Sequence, residues 1–89
     1  MKRNHILVID DEERFRQLLS RIIGLEGFEV HQAKNAKEGL QILNEESVSV
    51  VVCDVKLPDG NGLDLLEHIK REFPLVEVIL ITAFGTIQD

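Results

Sequence analysis

Val48-Ser49-Val50-Val51-Val52-Cys53-Asp54, running on through Val55-Lys56 into Leu57-Pro58-Asp59-Gly60-Asn61-Gly62, is the stretch that decides the fold. The run from Val48 to Cys53 carries four valines, a β-branched block that suits a strand covered on both faces in a parallel sheet. The LPDGNG segment behind it is dense in Pro, Asp, Asn and Gly, so it reads as a turn structure with residues at positive φ. An acid, Asp54, stands between the two.

Working outward, three more runs of strand length are found, at His5–Ile9, Glu29–Ala33 and Val76–Ile81. The second is mixed in polarity, as an edge strand would be. Between the runs the period changes to that of helices. Phe15, Leu18, Leu19, Ile22 and Ile23 predict one amphipathic helix, with Gly27 placed for a left-handed C-terminal residue. Asn35 and Glu38 resemble a capping box ahead of the stripe Ala36, Leu40 and Leu43. A third helix is expected from about Leu63 to Phe73, with Leu65, Leu66, Ile69 and Phe73 inward, and Pro74 blocks its continuation. Thr86–Asp89 reads as the start of a fourth. Strands alternating with helices define an α/β, doubly wound parallel sheet.

The chain has 89 residues, 44% of them hydrophobic and 29% charged, which sets a ceiling of one globular domain with a small core. A formal net charge of −6 repels phosphate backbones and anionic lipid, so direct nucleic-acid binding is not expected. The single Cys53 forbids an intrachain disulfide and reads as a core thiol. The apolar stretch Ile6–Ile9 is cut off by Asp10 too soon for a signal peptide, no run reaches the ~20 residues of a membrane span, and the cytoplasm is the expected location.

In an open parallel sheet, ligands bind beyond the carboxyl ends of the strands. Asp10 and Asp11 end the first strand, Asp54 the third and Thr82 the fourth. If the first and third strands are neighbours, the acids meet, and their repulsion calls for a hard divalent cation such as Mg2+, held by oxygen ligands. A carboxylate beside such an ion can attack a phosphoryl group. Asp54, standing by itself at the end of the hydrophobic strand, is the better nucleophile, and the Asp10–Asp11 pair the better metal holder. For each acid in isolation the plainer reading is stronger: Asp11, Glu12 and Glu13 as helix-capping charges, Asp54 as a turn acid. Thr82 could equally be a strand-end or cap residue. His5, His31 and His68 lack a ligand spacing such as i, i+4, which argues against zinc.

ILVIDDEE, VVCDVKLPDGNGLDLL and VILITAFG together resemble the response regulator receiver family of two-component signalling, over the entire chain. The resemblance implies a flavodoxin-like sheet of strand order 2-1-3-4, with Asp54 as phosphoacceptor, Asp10 and Asp11 as the acidic pair at Mg2+, and the backbone carbonyl of Lys56 completing the coordination. It makes Thr82 the switch hydroxyl that bonds the phosphoryl group. TAFGTIQD and residues 57–66 look most like receivers of the NtrC type, attached to activators of sigma-54 transcription. The implied partners are a sensor histidine kinase and an attached output domain, with pairing to a second copy, by dimerisation or strand exchange, also expected.

The family pattern also has a fifth strand with a lysine and an aromatic switch residue, and a last helix. Residues 1–89 therefore read as a C-terminally incomplete receiver domain, a switch module and not a turnover enzyme. The alternatives are a pseudo-receiver interaction domain that never phosphorylates, and a haloacid-dehalogenase-type phosphatase. The latter is disfavoured because Lys56 stands where that family wants a second acid. A flavodoxin-like cofactor binder is disfavoured because residues 10–13 are all acidic and would repel a phosphate.

Overall fold

The computed structural model describes residues 4–81. In chain order these form β1 (His5–Ile9), α1 (Glu13–Leu25), β2 (Glu29–Ala33), α2 (Ala36–Glu45), β3 (Val48–Asp54), β4 (Lys56–Leu57), β5 (Gly60–Asn61), α3 (Gly62–Glu72) and β6 (Glu77–Ile81). The main sheet has four strands in the order β2-β1-β3-β6, all parallel. This is the expected 2-1-3-4 order, since β6 is the fourth long strand. Because the chain leaves β1 for β2 on one side and β3 for β6 on the other, the loops after β1 and β3 open together at one edge of the sheet.

Period-two alternation divides β1 and β3 between two layers. Leu7, Ile9, Val51 and Cys53 join Ala33, Leu43, Leu65 and Ile69 in the main core cluster, packed by α2 and α3. Full burial of one such side chain, Ile69 for instance, is worth roughly 1.5–3 kcal/mol. Ile6 and Val8 are buried on the other layer, where α1 lies along β1 and β2. Helix α1 turns Leu19, Ser20 and Ile23 toward the sheet, while Phe15, Leu18, Ile22 and Leu25 stand exposed. The amphipathic stripe read from sequence is therefore wider than the surface the described residues cover.

Local chemistry shifts several boundaries. Asn61 caps α3, its Oδ1 accepting from Leu63 N at 2.7 Å and Asp64 N at 3.1 Å, so the helix begins at Gly62 and ends before Phe73. Val76 donates to the Phe73 carbonyl at 3.0 Å and so belongs to the connection, not to the fourth long strand. Strand β3 runs one residue beyond Cys53 to include Asp54. The LPDGNG turn closes as a two-residue ladder, Lys56 opposite Asn61 and Leu57 opposite Gly60, with Gly60 at φ 158°. In the Asn35 cap, Asn35 Oδ1 accepts from Glu38 N at 2.8 Å, but Glu38 reaches back to Lys34 N at 3.1 Å, one residue short of a true box. Gly27 has φ 100°, the left-handed conformation expected after α1.

The histidines are placed differently from what helix spacing suggested. Leu7 pairs with His31 in the β1–β2 register, which sets His5 and His31 on one face of adjacent strands, Nδ1 to Nε2 2.9 Å apart.

Candidate functional site

Strands β1 and β3 are hydrogen-bonded neighbours with Ile9 opposite Cys53, so the residues that follow, Asp10 and Asp54, leave the sheet side by side. Oxygens of Asp10, Asp11 and Asp54 all lie within 4.8 Å of one another. The sequence expectation that depended on neighbouring strands is met in geometry: three carboxylates from two segments share one spot.

Asp10 is the fixed member. Its amide donates to the Ala33 carbonyl at 3.0 Å, its carbonyl accepts from Arg16 Nη1 at 2.9 Å, and its Oδ1 accepts from Glu12 N at 2.8 Å. Arg16 in turn donates from Nε to Gln32 Oε1 at 3.1 Å, tying α1 and β2 to the loop. Burial pushes the Asp10 carboxyl above the ordinary carboxylate range; the Glu12 amide opposes this, while the charges of Asp54, Asp11 and Glu12 add to it. Asp11 is exposed and Asp54 half-buried. Glu12, not Asp11, caps α1, its Oε1 accepting from Phe15 N at 2.7 Å. The plainer capping reading thus belongs to Glu12 and leaves Asp11 to the cluster.

The floor is built by Cys53, fully buried, whose thiol lies 3.2 Å from the Asp54 carbonyl. Burial first, then the charges of Asp54 and Asp10, pushes that thiol up to about 12, so it stays protonated and inert. Lys56 N approaches Asp54 Oδ1 at 3.4 Å, and the Lys56 side chain is exposed. Gly62 sits against the same backbone, its amide donating to Val55 O at 2.6 Å. A Cβ at Gly62 would press on the Asp54 carbonyl oxygen and come within 3.0 Å of Val55 Cα. Thr82 lies outside the described residues, as does the expected fourth helix at 86–89. Its sequence neighbour Ile81 is the register partner of Asp54 and accepts from Val55 N at 3.1 Å.

Sequence reading missed Asp59, which crosses from the β4–β5 turn to the start of α2. Its Oδ1 accepts from Ala36 N at 2.9 Å and its Oδ2 from Lys37 N at 3.0 Å. Those two bonds hold its carboxyl below the usual range. A turn acid before glycine gives no hint of which helix end it will meet.

The donor set is three hard carboxylate oxygens, one of them desolvated and destabilised as an anion. This set fits a hard divalent cation such as Mg2+ and lacks the nitrogen or sulfur that zinc favours.

A family model described as the response regulator receiver domain matches residues 6–89. The response regulator protein PilR of Pseudomonas aeruginosa is 37% identical over 98% of this chain, which spans 20% of the relative. The chain thus covers about a fifth of the length of that relative. Among solved structures, the beryllofluoride-activated NtrC4 receiver domain dimer matches with a TM-score of 0.85 at 37% identity, over 93% of this chain and 69% of that one. Response regulator TrrA of Thermotoga maritima, in complex with Mg2+ and beryllofluoride, matches at 0.86 and 32% identity, over 92% and 71%. The NtrC-type likeness noted in the sequence is matched by the NtrC4 neighbour.

Proposed function

The chain belongs to the response regulator receiver domain family, and from that membership we propose that it is a phosphoacceptor module, taking a phosphoryl group from a sensor histidine kinase onto Asp54. The observation that carries the reading is the meeting of Asp10, Asp11 and Asp54 within 4.8 Å at the carboxyl edge of the sheet. Asp54 ends the central strand and is half-buried, so it is positioned without being sealed off.

In the transfer, a carboxylate oxygen of Asp54 attacks phosphorus, the new O–P bond forms as the donor's N–P bond breaks, and the imidazole keeps the electron pair and takes a proton. Hydrolysis returns the carboxylate and inorganic phosphate. Asp10, Asp11, Asp54 and the Lys56 backbone carbonyl would hold Mg2+, which supplies positive charge against the incoming phosphoryl oxygens. Asp10 is kept in place by Arg16, Ala33 and Glu12 through the bonds above, and Gly62 lets α3 start directly against the Asp54 backbone. Thr82, following Ile81, is proposed as the switch hydroxyl. The chemistry is self-phosphorylation and self-dephosphorylation at one site.

The output is proposed to be an attached domain of a cytoplasmic transcriptional regulator of the sigma-54 activator type, in keeping with the PilR and NtrC4 likenesses. A second copy of this chain is the proposed protein partner, through the exposed apolar face of α1. Among the described residues no helix is long and apolar enough to cross a membrane.

The test is labelling by acetyl phosphate or beryllofluoride with Mg2+. One modification per chain, abolished in Asp54→Asn, supports the proposal. Labelling that survives in Asp54→Asn refutes the assignment of that residue. A folded chain that takes no label favours the pseudo-receiver reading, and multiple turnover of a generic phosphate ester favours the phosphatase.

A further inference from the structure

The opposite end of the sheet carries a second cluster of ligating side chains, made of different atoms. His5 opens β1, His31 lies within β2, and Glu46 follows α2 as its C-cap. One donor atom from each lies within 4.8 Å of the others. Along β1, His5 and Asp10 are five residues apart, about 17 Å at the rise of a strand, so this cluster is separate from the carboxylate site.

We propose that His5, His31 and Glu46 form a binding site for a borderline divalent transition cation, of which zinc is the representative, at the amino edge of the sheet. Two imidazoles and one carboxylate are the donor set such ions prefer, whereas Mg2+ favours oxygen throughout. Three protein ligands leave one position of a tetrahedral ion open to water.

The geometry is nearly that of a chelate. His5 Nδ1 and His31 Nε2 are 2.9 Å apart, and two nitrogens bound to a tetrahedral ion at 2.0–2.1 Å stand about 3.3 Å apart. Converting one arrangement into the other takes a widening of a few tenths of an ångström and a tilt of each ring by about 35°, so that both lone pairs converge on the ion. The two ring nitrogens share one hydrogen bond, and the rings stack with centroids 5.0 Å apart.

Each ligand is held by ordered backbone. The β1–β3 register shifts between His5 and Ile6, with Val48 and Val50 as successive partners. Irregularities of this kind re-aim a side chain. Glu46 donates its amide to Ile42 O at 2.8 Å and accepts from Val48 N at 3.0 Å, so its side chain projects from a fixed point. Both histidines are half-buried and Glu46 is exposed, which leaves a path for an ion to enter.

The test is a zinc titration of the 89-residue chain in excess Mg2+, which occupies the carboxylate cluster, read by the imidazole resonances in NMR. The expected result is saturation of the His5 and His31 signals at one equivalent, with His68 unmoved. Removing a ligand, as in His31→Ala or Glu46→Gln, is expected to weaken binding on the order of tenfold or more. Zinc should raise the melting temperature of the parent and not of His31→Ala, while Asp54→Asn should bind zinc as the parent does. Glu46→Gln keeps both histidines and the backbone cap, so it covers the case in which His31→Ala fails to fold. Equal response of all three histidines, the absence of saturation near one equivalent, or variants that bind like the parent would each overturn the proposal.

Discussion

Asp59 in the β4–β5 turn and Ala36 at the first position of α2 are joined by a 2.9 Å hydrogen bond, from the Ala36 amide to Asp59 Oδ1. With the companion bond from Lys37 N to Oδ2 at 3.0 Å, one carboxylate satisfies two of the amides that a helix start leaves without intrahelical partners. The same turn follows Asp54 directly, so the start of α2 and the carboxylate cluster are mechanically linked through residues 55–59.

That clamp has a pH signature. The Asp59 carboxyl titrates in the fold below its ordinary value because Ala36 N and Lys37 N bond the charged form. Its contribution is therefore present above the ordinary value of 3.8 and drains away as the pH falls through the lower folded one. Asp59→Asn keeps one acceptor and loses the charge. It is expected to lower stability at neutral pH and to flatten the acid limb, measured as urea midpoint against pH.

Asp10 has the reverse sign. Its folded carboxyl titrates above the ordinary value of 3.8, through burial first and then the neighbouring charges, against the bond from Glu12 N. The stability it contributes is fully present below that value and is lost as the pH rises through its raised folded one. In metal-free buffer, Asp10→Asn, whose Oδ1 can still accept from Glu12 N, is expected to be more stable than the parent at neutral pH. The difference should vanish in acid. Millimolar Mg2+ should raise the melting temperature of the parent more than that of the variant; equal shifts would mean the ion does not touch Asp10.

The exposed stripe of α1 predicts association. Phe15, Leu18, Ile22 and Leu25 follow one another at spacings of 3, 4 and 3 and are 41%, 56%, 52% and 79% exposed. An exposed apolar stripe along one helix favours pairing with a like surface. The double substitution Leu18→Lys, Ile22→Lys is expected to shift sedimentation velocity toward the monomer, at a stability change within about 0.5 kcal/mol per site. A parent chain that is monomeric at all concentrations removes this expectation.

How much of this was legible follows from range. The bounds of β1 and β2 could be read because each is set by its own side chains, and the meeting of Asp10 with Asp54 could be read because parallel β/α construction restricts which strands are neighbours. The boundary of α3 was off by one because Asn61 acts as a cap only once the turn has folded. The clamp from Asp59 to α2 and the pairing of His5 with His31 were illegible, since they join residues 23 and 26 apart whose local sequence looks the same with or without the partner. Asp10, Asp11 and Asp54 are all singled out for chemistry by type and position; that Asp10 is the buried, tightly bonded member of the three is seen only in the structure.

Gly62 offers the sharpest separation of site geometry from stability. Its φ is not in the left-handed region, so an alanine there is tolerated by the local backbone and objectionable only for what it strikes. The obstacles are the Asp54 carbonyl oxygen and, at 3.0 Å, Val55 Cα, backbone atoms that cannot rotate aside as a side chain would. Gly62→Ala must therefore move either the start of α3 or the end of β3, at a cost of about 1–3 kcal/mol as for other overpacked sites. If the end of β3 moves, Asp54 turns relative to Asp10, and labelling by acetyl phosphate should fall further than the loss of folded protein explains. If α3 moves instead, the 2.6 Å bond from Gly62 N to Val55 O is broken, and the Gly62 amide should exchange with solvent faster while labelling of the folded fraction is kept. Urea unfolding, amide exchange and labelling on the same sample distinguish the two. An unchanged urea midpoint would mean that the close approach of α3 to Asp54 is not a constraint.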